Sequence, residues 1–130
     1  MKVVLDTNVV VSAFINPHGA PSDVMKIIMG GKATLFYNSA ILSEYECVLQ
    51  RSKFIKYIDP NHLRRLINIL GIMGTSFDPI PGKIKLPDES DRIFYDTAMQ
   101  SNSLLISGNL KHFPKEDFII SPVDFLKVFT

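Results

Sequence analysis

Apolar residues recur along this chain in two rhythms, short β-branched runs and stripes at helical spacing, and the two alternate from one end to the other. Lys2 to Leu5 reads as a buried strand that meets a polar break at Asp6-Thr7-Asn8, and a helix follows through Val9 to Phe14. Pro21 near a helix start, the series Val24, Ile27 and Ile28, and a Gly30-Gly31 stop predict a second helix, after which Ala33 to Tyr37 forms a second strand. Ser39 is positioned to cap a third helix, in which Ile41, Tyr45, Val48 and Leu49 face the core and leave Glu44 and Glu46 on opposite flanks. Asp59-Pro60, a cap followed by proline, opens a helix through Leu63, Leu66, Ile67 and Leu70 that ends near Gly71 or Gly74. Asp78 to Pro87, rich in Pro and Gly, is a loop with room for a short strand at Lys83 to Leu86. Asp88 to Ser101 reads as a helix with Ile93, Phe94 and Ala98 inward, and Ser103 to Ile106 as a strand that breaks at Gly108-Asn109. Phe118 to Ile120 gives the last strand, and Ser121-Pro122 starts a terminal helix carrying Val123, Phe125 and Leu126.

Strands separated by helices imply a doubly wound α/β sandwich: a central, mostly parallel sheet of about five strands with helices on both faces. The 130 residues suit a single domain, 1–130, long enough to bury a core. A formal net charge of +1 excludes a molecule that holds nucleic acid by a global basic excess, so any such contact must be local. Arg51, Lys53, Lys56, Arg64 and Arg65 offer a local basic patch or simply a solvated face. Cys47, the only cysteine, excludes an internal disulfide and a Cys-based zinc site; core packing and a reducing cytoplasm are the expectation for it. Val3-Val4-Leu5 is too short for a signal-peptide core or a membrane span, so a cytoplasmic protein that does not enter membranes is expected.

In an open parallel sheet, chemistry gathers where the carboxyl ends of strands meet helix N-termini beside the reversal of strand order. Asp6 ends the first strand, Glu44 lies in the second turn of the helix after the second, Asp88 and Asp91 open a helix, and Asn109 ends the fourth strand. Free carboxylates have pKa values of about 4, so several in one cleft repel until a proton or a cation relieves them. An all-oxygen donor set favours Mg²⁺ or Mn²⁺, which activate water and neutralise a phosphodiester during in-line attack: the chemistry of nucleic-acid hydrolysis. Each residue also has a plainer use. Asp6 can cap the following helix, Asp88 and Asp91 have the spacing of an N-cap and its third helical residue, and Asn109 can serve a left-handed turn. Either Glu44 or Glu46 can be an ordinary solvated charge, and the helical wheel does not choose between them.

Taken in order, these segments resemble the PIN-domain family, from the N-terminus to about Pro114. Val4-Leu5-Asp6-Thr7-Asn8-Val9 is similar to the family's strand-end motif, which implies Asp6 as a metal ligand and Thr7 as the hydroxyl residue that orients it. Leu42-Ser43-Glu44-Tyr45-Glu46-Cys47-Val48-Leu49 resembles the second motif and selects Glu44 over Glu46. Asp88-Glu89-Ser90-Asp91-Arg92-Ile93-Phe94 followed by Ala98 resembles the third, with Asp91 as main ligand and Asp88 as helper. Leu105-Ile106-Ser107-Gly108-Asn109 corresponds to the fourth, which in many members ends in Asp; Asn109 can still bind a metal or hold its water but adds no charge. Gly108-Asn109-Leu110-Lys111-His112-Phe113-Pro114 is similar to the toxins of toxin–antitoxin systems. That likeness implies a Mg²⁺- or Mn²⁺-dependent ribonuclease, an endonuclease more than an exonuclease, restrained by an antitoxin protein and able to form a homodimer. Lys111 and His112 would then contact RNA phosphate at the rim, although His112 equally suits a structural hydrogen bond.

Other enzyme classes fit less well. A haloacid-dehalogenase-like phosphatase expects a second Asp where this chain has Asn8, and Gly30-Gly31-Lys32 lacks the spaced glycine and Ser/Thr of a phosphate loop. No nucleophile elbow occurs, and His18, His62 and His112 lack metal-ligand spacing. The alternative from another class is a catalytically weak module that binds RNA or protein, its acidic pocket diminished by Asn109.

Overall fold

The computed structural model describes residues 1–51, 56 and 58–129. Five strands, β1 (Lys2–Leu5), β2 (Thr34–Tyr37), β3 (Thr75–Ser76), β4 (Leu104–Ile106) and β5 (Ile119–Ile120), form one parallel sheet in the order β3-β2-β1-β4-β5. Val3, Val4 and Leu5 are fully buried, as an apolar run must be to serve as the central strand of a parallel sheet. The chain steps from β1 outward to β2 and β3, then returns to β4 on the other side of β1. Right-handed crossovers in these two opposite directions lay helices on both faces, as expected, and put the reversal of strand order between β1 and β4.

The helices described are α1 (Thr7–Ile15), α2 (Ala20–Met29), α3 (Ser39–Leu49), α4 (Pro60–Met73), α5 (Arg92–Ser101) and α6 (Pro122–Phe129). α5 lies against β1, β2 and β4, α1 packs on α2 and α3, and α2 meets α6. Ile41, Tyr45 and Leu49 form the buried stripe of α3, and Tyr45 stacks on Phe94 of α5 with ring centroids 6.4 Å apart. Among the described residues no helix is long and apolar enough to cross a membrane.

Four local expectations are corrected. Asn38, not Ser39, caps α3, its Oδ1 accepting from the Ile41 amide at 3.0 Å while Ser39 takes the first helical position. Cys47 is exposed rather than in the core, because it lies two residues from Tyr45 and Leu49, roughly 200° around the helix from the buried stripe. The strand expected at Lys83 to Leu86 forms earlier, at Thr75–Ser76, directly after Gly74 turns the chain onto β2. A Cβ on Gly74 would stand 2.5 Å from the Leu35 carbonyl oxygen, so this close approach requires glycine. The 83–86 backbone is instead held by side chains: Arg92 donates to the Gly82 and Ile84 carbonyls, and the Gly82 amide donates to Asp96 Oδ2 at 2.9 Å. Lastly, the expected 88–101 helix is preceded by a 3₁₀ turn, Glu89–Asp91, before α5 begins at Arg92.

Candidate active site

The carboxyl ends of β1 and β4 are tied at the strand-order reversal. The Asp6 amide donates to the Ile106 carbonyl at 2.9 Å, completing the last rung between the two strands. From there the buried Asp6 side chain receives one hydrogen bond per oxygen, from the Thr7 amide at 2.8 Å and from Ser107 Oγ at 2.7 Å. Asp6 therefore does cap α1, and in the same position it stands at the reversal of strand order between β1 and β4. Burial raises its pKa despite the lowering effect of both hydrogen bonds, and the Glu44 charge adds to the rise.

Thr7 takes a different part from the one the family likeness implies. Its amide holds Asp6, but its hydroxyl donates to Glu44 Oε2 across the gap between α1 and α3. Tyr45, next to Glu44, anchors α3 by donating from its phenol to the Leu5 carbonyl at 2.6 Å, inside the core. Burial, with the Asp6 and Glu44 charges, pushes the Tyr45 phenol well above its ordinary pKa, so it stays a neutral donor. Glu46 is exposed beside Gln50. Of the two glutamates, only Glu44 is turned toward the carboxylates.

The Asp88/Asp91 pair divides its work. Exposed Asp88 caps the 3₁₀ turn, accepting from the Ser90 amide at 3.0 Å and the Ser90 hydroxyl at 2.7 Å, and these bonds lower its pKa. Asp91 caps nothing with its side chain. Its Oδ2 is enclosed, accepts no hydrogen bond among the described residues, and faces His112 Nδ1 at 3.5 Å. Burial first, then the charges of Asp6 and Asp88, push the Asp91 pKa from 3.8 to about 6; His112 opposes the rise and Glu44 adds to it. The neighbouring Arg92 is engaged elsewhere, its Nε at 2.6 Å from Glu89 and its Nη1 at 3.5 Å from Asp96.

Asn109 ends β4 with its amide on Ser107 Oγ at 3.0 Å and its side-chain nitrogen 3.0 Å from His112 Nε2. Potential ligand atoms of Asp88, Asp91 and His112 lie within 4.8 Å of one another. Asp6 and Glu44 stand outside that tightest group, while their charges still act on Asp91. His112, which has no metal-ligand spacing in the sequence, is brought to Asp88 and Asp91 by the fold: its neighbours come from another element and leave no trace in local spacing. Lys111 is exposed on the same turn. Arg64 and Arg65 are exposed on α4, and Lys53 lies outside the described residues. Sequence reasoning missed Ser107, whose only signal was a hydroxyl directly after the apolar strand Leu104–Ile106.

An enclosed carboxylate oxygen without a donor, mutually repelling acids and an imidazole nitrogen fit a divalent cation, which takes such donors and removes the repulsion. The fold and crevice together define a parallel α/β domain with an acidic centre at its strand-order reversal. The family model described as PIN domain matches residues 2–111, and the chain belongs to that family, whose members are generally nucleases. Protein MJ1680 of Methanocaldococcus jannaschii, itself uncharacterized, is 29% identical over 110 residues, which make up 84% of this chain and 71% of that protein. The crystal structure of VapBC2 from Rickettsia felis, bound to a DNA fragment from their promoter, is similar in fold. That likeness has a TM-score of 0.58 at 18% identity and covers 93% of this chain and 97% of that one.

Proposed function

We propose that this chain is a Mg²⁺- or Mn²⁺-dependent ribonuclease, cutting RNA internally, and the toxin of a toxin–antitoxin pair. The observation that carries the reading is the enclosed, donor-free Oδ2 of Asp91 amid like charges, an arrangement that opposes folding unless it serves a cation. Asp6, Glu44 and Asp91 would hold the ion, with Asp88, Asn109 and His112 at its border. Bound there, such an ion neutralises phosphodiester charge and acidifies a water for in-line attack.

The chain's own residues supply orientation. Ser107 and the Thr7 amide fix both oxygens of Asp6, Thr7 Oγ1 fixes Glu44, and Tyr45 keeps α3 against the end of β1. Without a cation Asp91 keeps its proton to about pH 6, so below that pH an ion would have to displace it. Asp88 and His112 are exposed, so a strand of RNA can lie across the cluster without threading an end, which supports internal cleavage. Exposed Lys111 on the same turn would contact RNA phosphate at that rim.

The motif likeness from Gly108 to Pro114 and the fold shared with VapBC2 support an antitoxin partner. It inhibits, on this reading, by covering the acidic crevice and pairing an Arg or Lys with Asp6, Glu44 or Asp91. The test is incubation of purified chain with labelled RNA in Mg²⁺, Mn²⁺ or excess EDTA, with Asp6→Asn as control. Cleavage that needs the ion and fails in Asp6→Asn is expected. Full cleavage in EDTA refutes the proposal, and RNA binding without cleavage in either metal favours the binding module.

A further inference from the structure

We infer that His112 is itself a ligand of the metal through Nδ1, that Asn109 sets the tautomer of its ring, and that the centre therefore prefers Mn²⁺ to Mg²⁺. The inference rests on the proposed metal-dependent reading of this crevice and adds to it a nitrogen donor. Three observations carry it. His112 is gathered with Asp88 and Asp91 within 4.8 Å. Its Nδ1 points at the donor-free Asp91 Oδ2 from 3.5 Å. Its Nε2 is engaged by the Asn109 carboxamide at 3.0 Å.

An imidazole nitrogen binds a cation only with its lone pair, so the ring proton must sit on the other nitrogen, and whatever holds that nitrogen decides the tautomer. As described, the Asn109 NH₂ meets Nε2; this makes Nε2 an acceptor and leaves the proton on Nδ1, facing Asp91. A half-turn of the carboxamide puts Oδ1 where Nδ2 stood, accepts Nε2–H, and bares the Nδ1 lone pair toward the two carboxylates. One amide thus serves both states of the site. A carboxylate at 109 can only accept, and so permits only the metal-ready tautomer. This gives the amide a use at a position where the resembling family often has Asp. Asn109 is then a positioning residue for His112, and the missing charge of the fourth motif is replaced by a ring nitrogen. Mg²⁺ favours all-oxygen shells and sheds water reluctantly, whereas transition ions accept imidazole, so a mixed set discriminates for Mn²⁺.

The test uses the whole chain stripped of metal and loaded with Mn²⁺ alone, read by pulsed electron paramagnetic resonance for coupling to a ring nitrogen. Parallel Mn²⁺ and Mg²⁺ titrations follow the thermal midpoint. Wild type should show nitrogen coupling that disappears in His112→Ala, with the Mn²⁺ over Mg²⁺ preference falling about tenfold. Asn109→Asp should keep the coupling, and Asn109→Ala should weaken Mn²⁺ affinity about tenfold. Mn²⁺ bound without nitrogen coupling, and lost in Asp91→Asn, overturns the inference while leaving the metal centre standing. If neither ion binds wild type, the inference and the proposed function both fail. His112 is half exposed on a surface turn, and the wild-type spectrum decides the matter even if a variant misfolds.

Discussion

Replacing Asp91 by Asn should make the metal-free protein more stable while weakening its capture of metal. In the unfolded chain the carboxyl ionises near its ordinary value of 3.8; folded, it holds its proton to about pH 6. Below 3.8 both states are protonated and nothing is lost; stability declines as pH rises through the folded pKa of about 6 and is flat above it. The displacement corresponds to roughly 3 kcal/mol against ionisation at face value. For a side chain 15% exposed in salt, screening reduces this to about 1–2 kcal/mol. Asparagine keeps the shape without the charge, so the variant should recover that amount at about pH 7.5, roughly 3–8 °C in thermal midpoint for a domain of this size. The assay is thermal unfolding in EDTA from about pH 3, below the unfolded pKa, to about pH 8, followed by Mn²⁺ titration at the upper pH. Saturating Mn²⁺ should lift wild type more than the variant, reversing their order, because the ion binds the folded site alone. The reasoning is refuted if Asp91→Asn is no more stable than wild type in EDTA above pH 6. It is equally refuted if the difference persists at the acid end.

Other substitutions probe the rest of the framework. Asp6→Asn should retain the fold, since Asn caps as well as Asp, while RNA turnover falls about a hundredfold or more, beyond what loss of an outer-shell partner brings; unchanged turnover would reduce Asp6 to a cap. Ser107→Ala removes the donor on Asp6 Oδ2 and the acceptor of the Asn109 amide. It should cost about 1–2 kcal/mol in urea unfolding near neutral pH. Because that bond lowers the Asp6 pKa, its loss should raise the pKa further and steepen the decline of stability with rising pH. Gly74→Ala forces a Cβ against the Leu35 and Leu70 carbonyls and should cost about 2 kcal/mol or more, read in the same urea experiment. Neutral behaviour there would contradict the close passage of α4 into β3.

The elements that could be read from sequence are those whose signals are local. Val3-Val4-Leu5 declared a buried strand, and Asp59-Pro60 declared a cap that the structure bears out, with Asp59 accepting from the Asn61 amide at 2.9 Å. What escaped was decided by distant partners. Asn38 and Ser39 are both good caps, and the way the chain leaves β2 selects the first; the Asn38 side-chain nitrogen also donates to Thr97, which no local pattern reveals. β3 is two residues long and owes its place to Gly74 rather than to any alternation. The crevice followed the same division. Strand ends and helix starts marked Asp6, Asp88, Asp91 and Asn109, and the family likeness chose Glu44 over Glu46, but Ser107 and His112 acquire meaning only when β4 is laid beside β1 and the following turn folds back over Asp91.

The most direct test of the central claim is the chemistry of the cut ends. Wild type and Asp91→Asn should be incubated with an end-labelled RNA in Mn²⁺ and in excess EDTA, and the termini of every product identified over time. Attack by water predicts linear monophosphate ends from the first time point, in wild type with Mn²⁺ only, and undiminished cleavage where the scissile nucleotide carries a 2′-deoxy sugar. Products ending in 2′,3′-cyclic phosphate, or cleavage that survives both EDTA and loss of the Asp91 charge, would contradict a carboxylate-held metal centre.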